Sequence, residues 1–174
     1  MDELVFGTDG WRDVIGDRFT FVNVGRVAQG YADHLVESGA SRVIVGYDTR
    51  FNGHLFAQRV AEVLATNGLE VLISDGPIPA PVLSFAVVQH GAGGGVMLTA
   101  SHNPPSYNGF KLKGAYGGTA TDNVYQDVAR RVTTTRPEDV RREQRKQCFE
   151  HLDIKESYFR HLSQLVDLDV ISTL

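Results

Sequence analysis

The chain has 174 residues, of which 42% are hydrophobic and 22% charged, with a formal net charge of −4. That is the length of about one domain, or of one domain and the start of another, with enough chain to bury a sizeable core. The acidic balance gives no general pull toward nucleic acid, and no apolar run approaches the ~20 residues of a membrane span.

The amino end, "MDELVFGTDGWRD", has no apolar signal core. Its two glycines and aspartate read as a turn, with Trp11 as a packing anchor. Arg12 carries a fixed cation whose fork suits phosphate. From Phe21 to Val36, Val24, Val27, Ala28, Tyr31 and Leu35 recur at helical spacing, with Thr20 or Asn23 as the cap and Gly39 past the end. "RVIVGYD" reads as a buried strand. It is followed by "YDTR", whose Asp48 and Arg50 are expected to pair or to brace neighbouring loops. "HLFAQRVAEVLATNG" is a second helix stopped at Gly68, and "EVLISD" a second buried strand. "GPIPAP" is a stiff turn before a helix over 80–89. "GGVMLTA" and "GFKLKG" are two further strands, and "TDNVYQDVARRVTT" a helix starting near Thr121 or Asp122. Strands alternating with helices argue for an α/β protein with a largely parallel sheet.

The run 130–146 holds 7 basic and 3 acidic residues. It lacks interleaved aromatics, so it reads as a solvated helix end and linker rather than a nucleic-acid patch. Beyond the linker, Tyr158, Phe159, Leu162, Leu165 and Val166 fall on one face of a last helix. Cys148 is the only cysteine, so an internal disulfide is impossible; a reducing compartment and a cytoplasmic location are the expectation.

Several motif readings fail on spacing. In "GAGGG", Gly91-x-Gly93 is followed by Val96 where a dinucleotide fingerprint needs glycine or alanine, and G-x-x-x-x-G-K-[ST] is absent. A tight turn feeding a packed strand remains. The six histidines, His34, His54, His90, His102, His151 and His161, match no zinc spacing. Ser101 does not sit in G-x-S-x-G, because Thr99 precedes it by two, so a hydrolase elbow is not supported.

Ser101 nonetheless stands where a buried strand breaks into the loop "TASHNPPSYNGFK", the end of an α/β sheet where ligands bind. His102 and Lys111 can accept protons or contact phosphate. Asn103 and Asn108 can tie the loop to backbone, and Pro104 and Pro105 stiffen it. Rigid placement is what phosphoryl transfer requires.

Taken together, "FGTDGWR", "VGYDTR" and "GGVMLTASHNPPSYNGFKLKG" resemble the first domain of the α-D-phosphohexomutases, the superfamily of phosphoglucomutases and phosphomannomutases. The resemblance covers residues 4 to about 135. It implies a three-layer α/β/α domain with a mostly parallel mixed sheet over 1–135. Residues 136–174 would be the linker and opening helix of a truncated second domain. It also implies that Ser101 carries a phosphoryl group, passes it to a hexose phosphate, and takes back the other phosphate from the bisphosphate so formed. Arg12, Ser101, His102 and Lys111 are then the phosphate-binding residues, and Ser101, His102 and Lys111 the catalytic ones.

Magnesium would touch the Ser101 phosphate, its other ligands coming from a D-x-D-x-D motif absent from this sequence, and glucose 1,6-bisphosphate would charge the serine. Asp13 departs from the family pattern, which often has glycine there. The isolated chain is expected to fall short of full turnover. Neither nucleic acid nor membrane is expected as a partner, and self-association through the 153–168 helix is. The competing reading is a non-catalytic module that binds phosphosugar or phosphate through the same loop.

Overall fold

In a computed structural model, described for residues 4–141 and 149–172, the chain forms a mixed α/β sheet flanked by helices. Cys148 and part of the basic run, including Arg142, Arg145 and Lys146, lie outside the described residues. The strands are β1 (Phe6–Gly7), β2 (Gly10–Val14), β3 (Arg42–Tyr47), β4 (Glu70–Ser74), β5 (Gly94–Leu98), β6 (Tyr107–Gly114) and β7 (Glu150–Leu152). The helices are α1 (Phe21–Glu37), α2 (Gly53–Thr66), α3 (Ala80–Gln89), α4 (Asp122–Thr134), α5 (Lys155–Leu165) and α6 (Leu168–Ser172). The described strands make one sheet in the order β1-β2-β6-β5-β3-β4-β7. The ladders β5–β3–β4–β7 are parallel, and β1–β2–β6–β5 are antiparallel.

Side chains along a strand alternate between faces, and this alternation builds two cores. Val43, Val45, Val71, Ile73, Val96 and Leu98 face one way and pack with α1, α2 and α4. Ile44, Leu72 and Met97 face the other way and pack with α3. The result is the three-layer α/β/α arrangement implied by the resemblance. Thr20 caps α1, its hydroxyl accepting from the Asn23 amide at 3.2 Å, which satisfies one of the otherwise unpaired first-turn donors. Trp11 is fully buried and stacks on Phe19 with ring centroids 4.8 Å apart, the anchoring role its sequence context suggests.

Three strands, β1, β2 and β7, are not evident in the sequence. The amino-terminal turn is the tip of a hairpin, Thr8 and Asp9 joining β1 to β2. The short β7 adds beyond β4, with Ile73 opposite His151. Helix α5 also differs in how its apolar face is used. Ile154 is buried in the second core, and the Phe85 ring of α3 meets Tyr158 at 5.6 Å and His161 at 4.8 Å. Phe159, Leu165 and Val166 remain exposed. The stripe is thus split: α5 ends at Leu165, and only its first turns lean on α3.

Candidate active site

The loops after β3 and β5 leave the sheet side by side, because those strands are parallel neighbours. The amide of Asp48 donates to the Leu98 carbonyl at 3.1 Å and ties the two loops together. In the second loop, Ser101 is exposed and has φ of 57°. That left-handed backbone is unfavourable for a residue with a β-carbon and persists only where its surroundings hold it.

The holding is done mainly by Arg50. Its guanidinium donates to the carbonyls of Ser101 (2.9 Å), Asn103 (2.8 Å), Pro104 (2.8 Å) and Tyr107 (2.8 Å). Asp48 faces it from behind at 3.4 Å and also accepts from the Arg50 amide at 3.0 Å. Asp48 and Arg50 therefore do brace a neighbouring loop, the one that carries Ser101. A planar fork of five donors can serve several carbonyls at once, which a single ammonium cannot. Further bonds close the turn, from the Ser101 amide to the Thr99 hydroxyl at 3.0 Å and from the Tyr107 amide to the Pro104 carbonyl at 3.0 Å.

Lys111 and Arg12 reach the same region from adjacent strands. Lys111 lies on β6 opposite Met97, and Arg12 lies on β2 opposite Gly109. Gly109 allows this approach. A β-carbon there would come within 2.5 Å of the Thr99 carbonyl and 2.9 Å of the Arg12 side chain. The Arg12 guanidinium donates to the Asn103 side chain at 3.3 Å, two residues past Ser101. Behind β6, the Tyr125 hydroxyl of α4 both donates to and accepts from the Leu112 backbone at 3.2 Å. Burial pushes that phenol up to about 12, so it stays a neutral donor, and it fixes the strand next to Lys111.

The candidate residues thus converge from three parts of the chain. His102 is exposed on the turn beside Ser101. Asn108 is buried and ties the loop to backbone, its side-chain Oδ1 accepting from the Gly109 amide at 2.8 Å. Asn103 does so differently from the sequence expectation: its side chain serves Arg12, and its own carbonyl serves Arg50. Asp13 follows Arg12 on a strand, so the two project to opposite faces, and its carboxylate accepts from the Val14 amide at 2.9 Å.

The residue that sequence reasoning passed over is Asp9. Its Oδ2 accepts from Arg12 at 2.9 Å and from Lys111 at 2.5 Å. The sign of its charge was visible, but its partner 102 residues away was not.

An open cleft of about 400 Å³ is lined by Asp48, Thr49, Arg50, Phe51, Ser101, Asn103 and Pro105. A second, of about 410 Å³, runs past Asp9 and Arg12. A larger one of about 600 Å³ lies between β1 and α4, but the candidate residues do not converge there. Among the described residues no group of three or more His, Cys, Asp or Glu could hold a metal. The cleft at Ser101 offers one carboxylate, Asp48, already paired with Arg50, and does not fit a divalent cation by itself. An exposed hydroxyl on a braced turn, two residues before an asparagine that an arginine contacts, is suited to carrying or receiving an anion such as a phosphoryl group.

Comparison with known proteins gives the family. The family model for phosphoglucomutase/phosphomannomutase, alpha/beta/alpha domain I, matches residues 3–139. A phosphoglucomutase of Staphylococcus saprophyticus is 42% identical over 121 residues, covering 66% of this chain and 22% of that protein. A solved structure from Thermus thermophilus, described as a "putative phosphomannomutase", superposes with a TM-score of 0.90 at 41% identity, over 98% of this chain and 38% of that one. A phosphoglucomutase/phosphomannomutase family protein from Burkholderia thailandensis gives a TM-score of 0.73 at 25% identity, over 91% of this chain and 35% of that one. The chain therefore spans about a fifth of the length of the Staphylococcus relative.

Proposed function

Because the chain belongs to the phosphoglucomutase/phosphomannomutase family, carrying its α/β/α domain I, we propose that Ser101 is the residue through which a hexose-phosphate mutase moves its phosphoryl group. The observation that carries this reading is the Arg50 clamp. It holds an exposed serine in a left-handed conformation on a loop that Arg12 also contacts. Structures retain such strain at functional sites, where the surroundings over-determine it.

The reaction runs in two displacements. A hydroxyl of a hexose monophosphate attacks the phosphorus on Ser101. The Oγ–P bond breaks, a sugar O–P bond forms, and a sugar bisphosphate results. In the second displacement the Ser101 oxygen attacks the other phosphate of the bisphosphate, and the isomeric monophosphate leaves. Each attacking hydroxyl gives up a proton, which the exposed His102 can accept and return to the oxygen that departs, while Lys111, paired with Asp9, serves as a cation. Arg12 and Lys111 offset the charge of the transferring group, and the rigid loop sets the in-line approach. Magnesium, when bound at the Ser101 phosphate, would offset further charge, its remaining ligands coming from beyond the described residues. The mutase reaction is proposed for a protein that also supplies sugar-holding groups, since binding from the far side is needed to position the substrate. The isolated chain is not proposed to complete the cycle.

Glucose 1,6-bisphosphate with magnesium should add about 80 Da, one phosphoryl group, to the peptide containing Ser101. Peptide mass after incubation reads this directly. Equal labelling of a Ser101→Ala chain would overturn the assignment, and phosphate binding without any covalent label would point to the non-catalytic module instead.

We also propose that the chain pairs with itself through Phe159 and Leu165 of α5 and Val166 at its end, which are left exposed. Each such side chain gains on the order of 1.5–3 kcal/mol when fully buried, and a two-fold contact is the commonest closed arrangement. Light scattering over a concentration series should show dimers that Phe159→Glu abolishes. A chain that stays monomeric at high concentration would rule this out.

A further inference from the structure

We propose that Asp9 is a resident counter-anion that holds the cations Arg12 and Lys111 until a phosphate displaces it. The inference rests on the reading of Ser101 as phosphoacceptor. A single carboxylate oxygen of Asp9 accepts from both cations, Lys111 Nζ at 2.5 Å and Arg12 Nη2 at 2.9 Å. Arg12 also contacts Asn103, two residues past Ser101, and Lys111 joins it through Asp9; on that reading these are the cations that a phosphate on Ser101 would draw. Without Asp9, two cations would lie close together with no charge between them in the dephosphorylated state.

The three members are not equally fixed. The Lys111 side chain is 12% exposed and that of Arg12 is 24% exposed, and both project from paired strands. Asp9 is 38% exposed and sits on the two-residue turn between β1 and β2. The anion is thus the outermost and least anchored member, so an incoming ligand meets it before the cations. Phosphate carries close to two negative charges and three strong acceptor oxygens against the single charge of the carboxylate. It can therefore take both cations from Asp9. When the phosphoryl group leaves for the sugar, Asp9 returns to them, and the dephosphorylated serine is not left beside an unbalanced pair. Asp9 acts in this way as a positioning residue: it sets how readily the site accepts and releases phosphate without touching the reacting atoms.

The test is a titration of the full chain with inorganic phosphate, followed by calorimetry or phosphorus NMR, in a Ser101→Ala background so that no covalent phosphate interferes. Removing a negative charge that competes for the same two cations should tighten phosphate binding about tenfold in Asp9→Asn, the scale of one charge pair at intermediate dielectric. Asp9→Ser, whose hydroxyl is too short to span the cations, should do the same. Adding Lys111→Gln to Asp9→Asn should remove the gain. Damage to the turn would weaken binding, so the direction of the change separates a charge effect from a structural one. Unchanged or weaker phosphate binding in both folded Asp9 variants would overturn the proposal. The outcome is independent of covalent labelling: tightening with no phosphoserine would keep the counter-anion and reject Ser101 as acceptor, and the reverse would do the opposite.

Discussion

Arg50→Ala is expected to slow phosphorylation of Ser101 by about 100-fold or more, the scale at which an ångström of misplacement acts on a positioned reaction. The substitution removes four charge-assisted bonds to the loop carbonyls, at Ser101, Asn103, Pro104 and Tyr107. It also leaves Asp48 facing an empty position. Each such bond contributes around 1.5–3 kcal/mol where it cannot be replaced. Water can reach this loop and re-solvate the freed carbonyls, so the net loss of stability should be only about 2–3 kcal/mol. Arg50→Lys keeps the charge but not the fork and should lie between parent and alanine. Rates of mass gain at Ser101, together with hydrogen exchange at the Asn103 and Tyr107 amides, provide the check. Parent-like labelling by Arg50→Ala would show that the loop keeps its shape unaided.

Gly10→Ala should be the most damaging single methyl in the amino-terminal hairpin, at a cost of about 3–5 kcal/mol. Gly10 has φ of +108°, a conformation that side-chain-bearing residues rarely adopt, and a β-carbon would stand 2.3 Å from the Phe110 carbonyl. That neighbour is backbone in a paired strand, so rotating a side chain cannot relieve the clash. Either β2 lifts from β6 or the turn carrying Asp9 changes path. The midpoint of urea unfolding should fall accordingly, and phosphate affinity should change with it. A stability within about 1 kcal/mol of the parent, the size of an ordinary surface substitution, would mean that the hairpin has room the geometry does not show.

Much of the fold can be read from periodicity and turn chemistry. The helices over 21–37, 53–66, 80–89 and 122–134 carry apolar stripes or stop signals that local sequence states directly. The short amino-terminal strand is harder to read. "GWRDV" alternates a buried tryptophan with charged residues, and it becomes a strand only because β6 lies alongside. β7 is three residues long, and its partner β4 lies more than 70 residues earlier; no local pattern can report such a pairing. The split of the α5 face depends likewise on where the Phe85 ring stands.

The site divides in the same way. Residue types in the serine loop pointed to anion chemistry, and "YDTR" pointed to bracing. The four carbonyls that Arg50 holds follow from the path of the backbone rather than from side-chain identity, so no motif encodes them. Asp9 is hidden for a related reason, since a carboxylate in a turn is ordinary until a lysine arrives from another strand.

The pairing of Trp11 with Phe110 also bears on how the protein is made. During synthesis β2 emerges roughly 100 residues before β6, the strand on its inner side. At about 5–20 residues per second, it waits on the order of 5–20 s for that partner. Throughout that interval the indole ring of Trp11 lacks the neighbour it will have in the finished sheet, and the nascent amino terminus offers chaperones a sticky segment. Placing the hairpin after β6 by circular permutation would let β2 emerge with its partner already made, and should raise soluble yield without altering the final sheet.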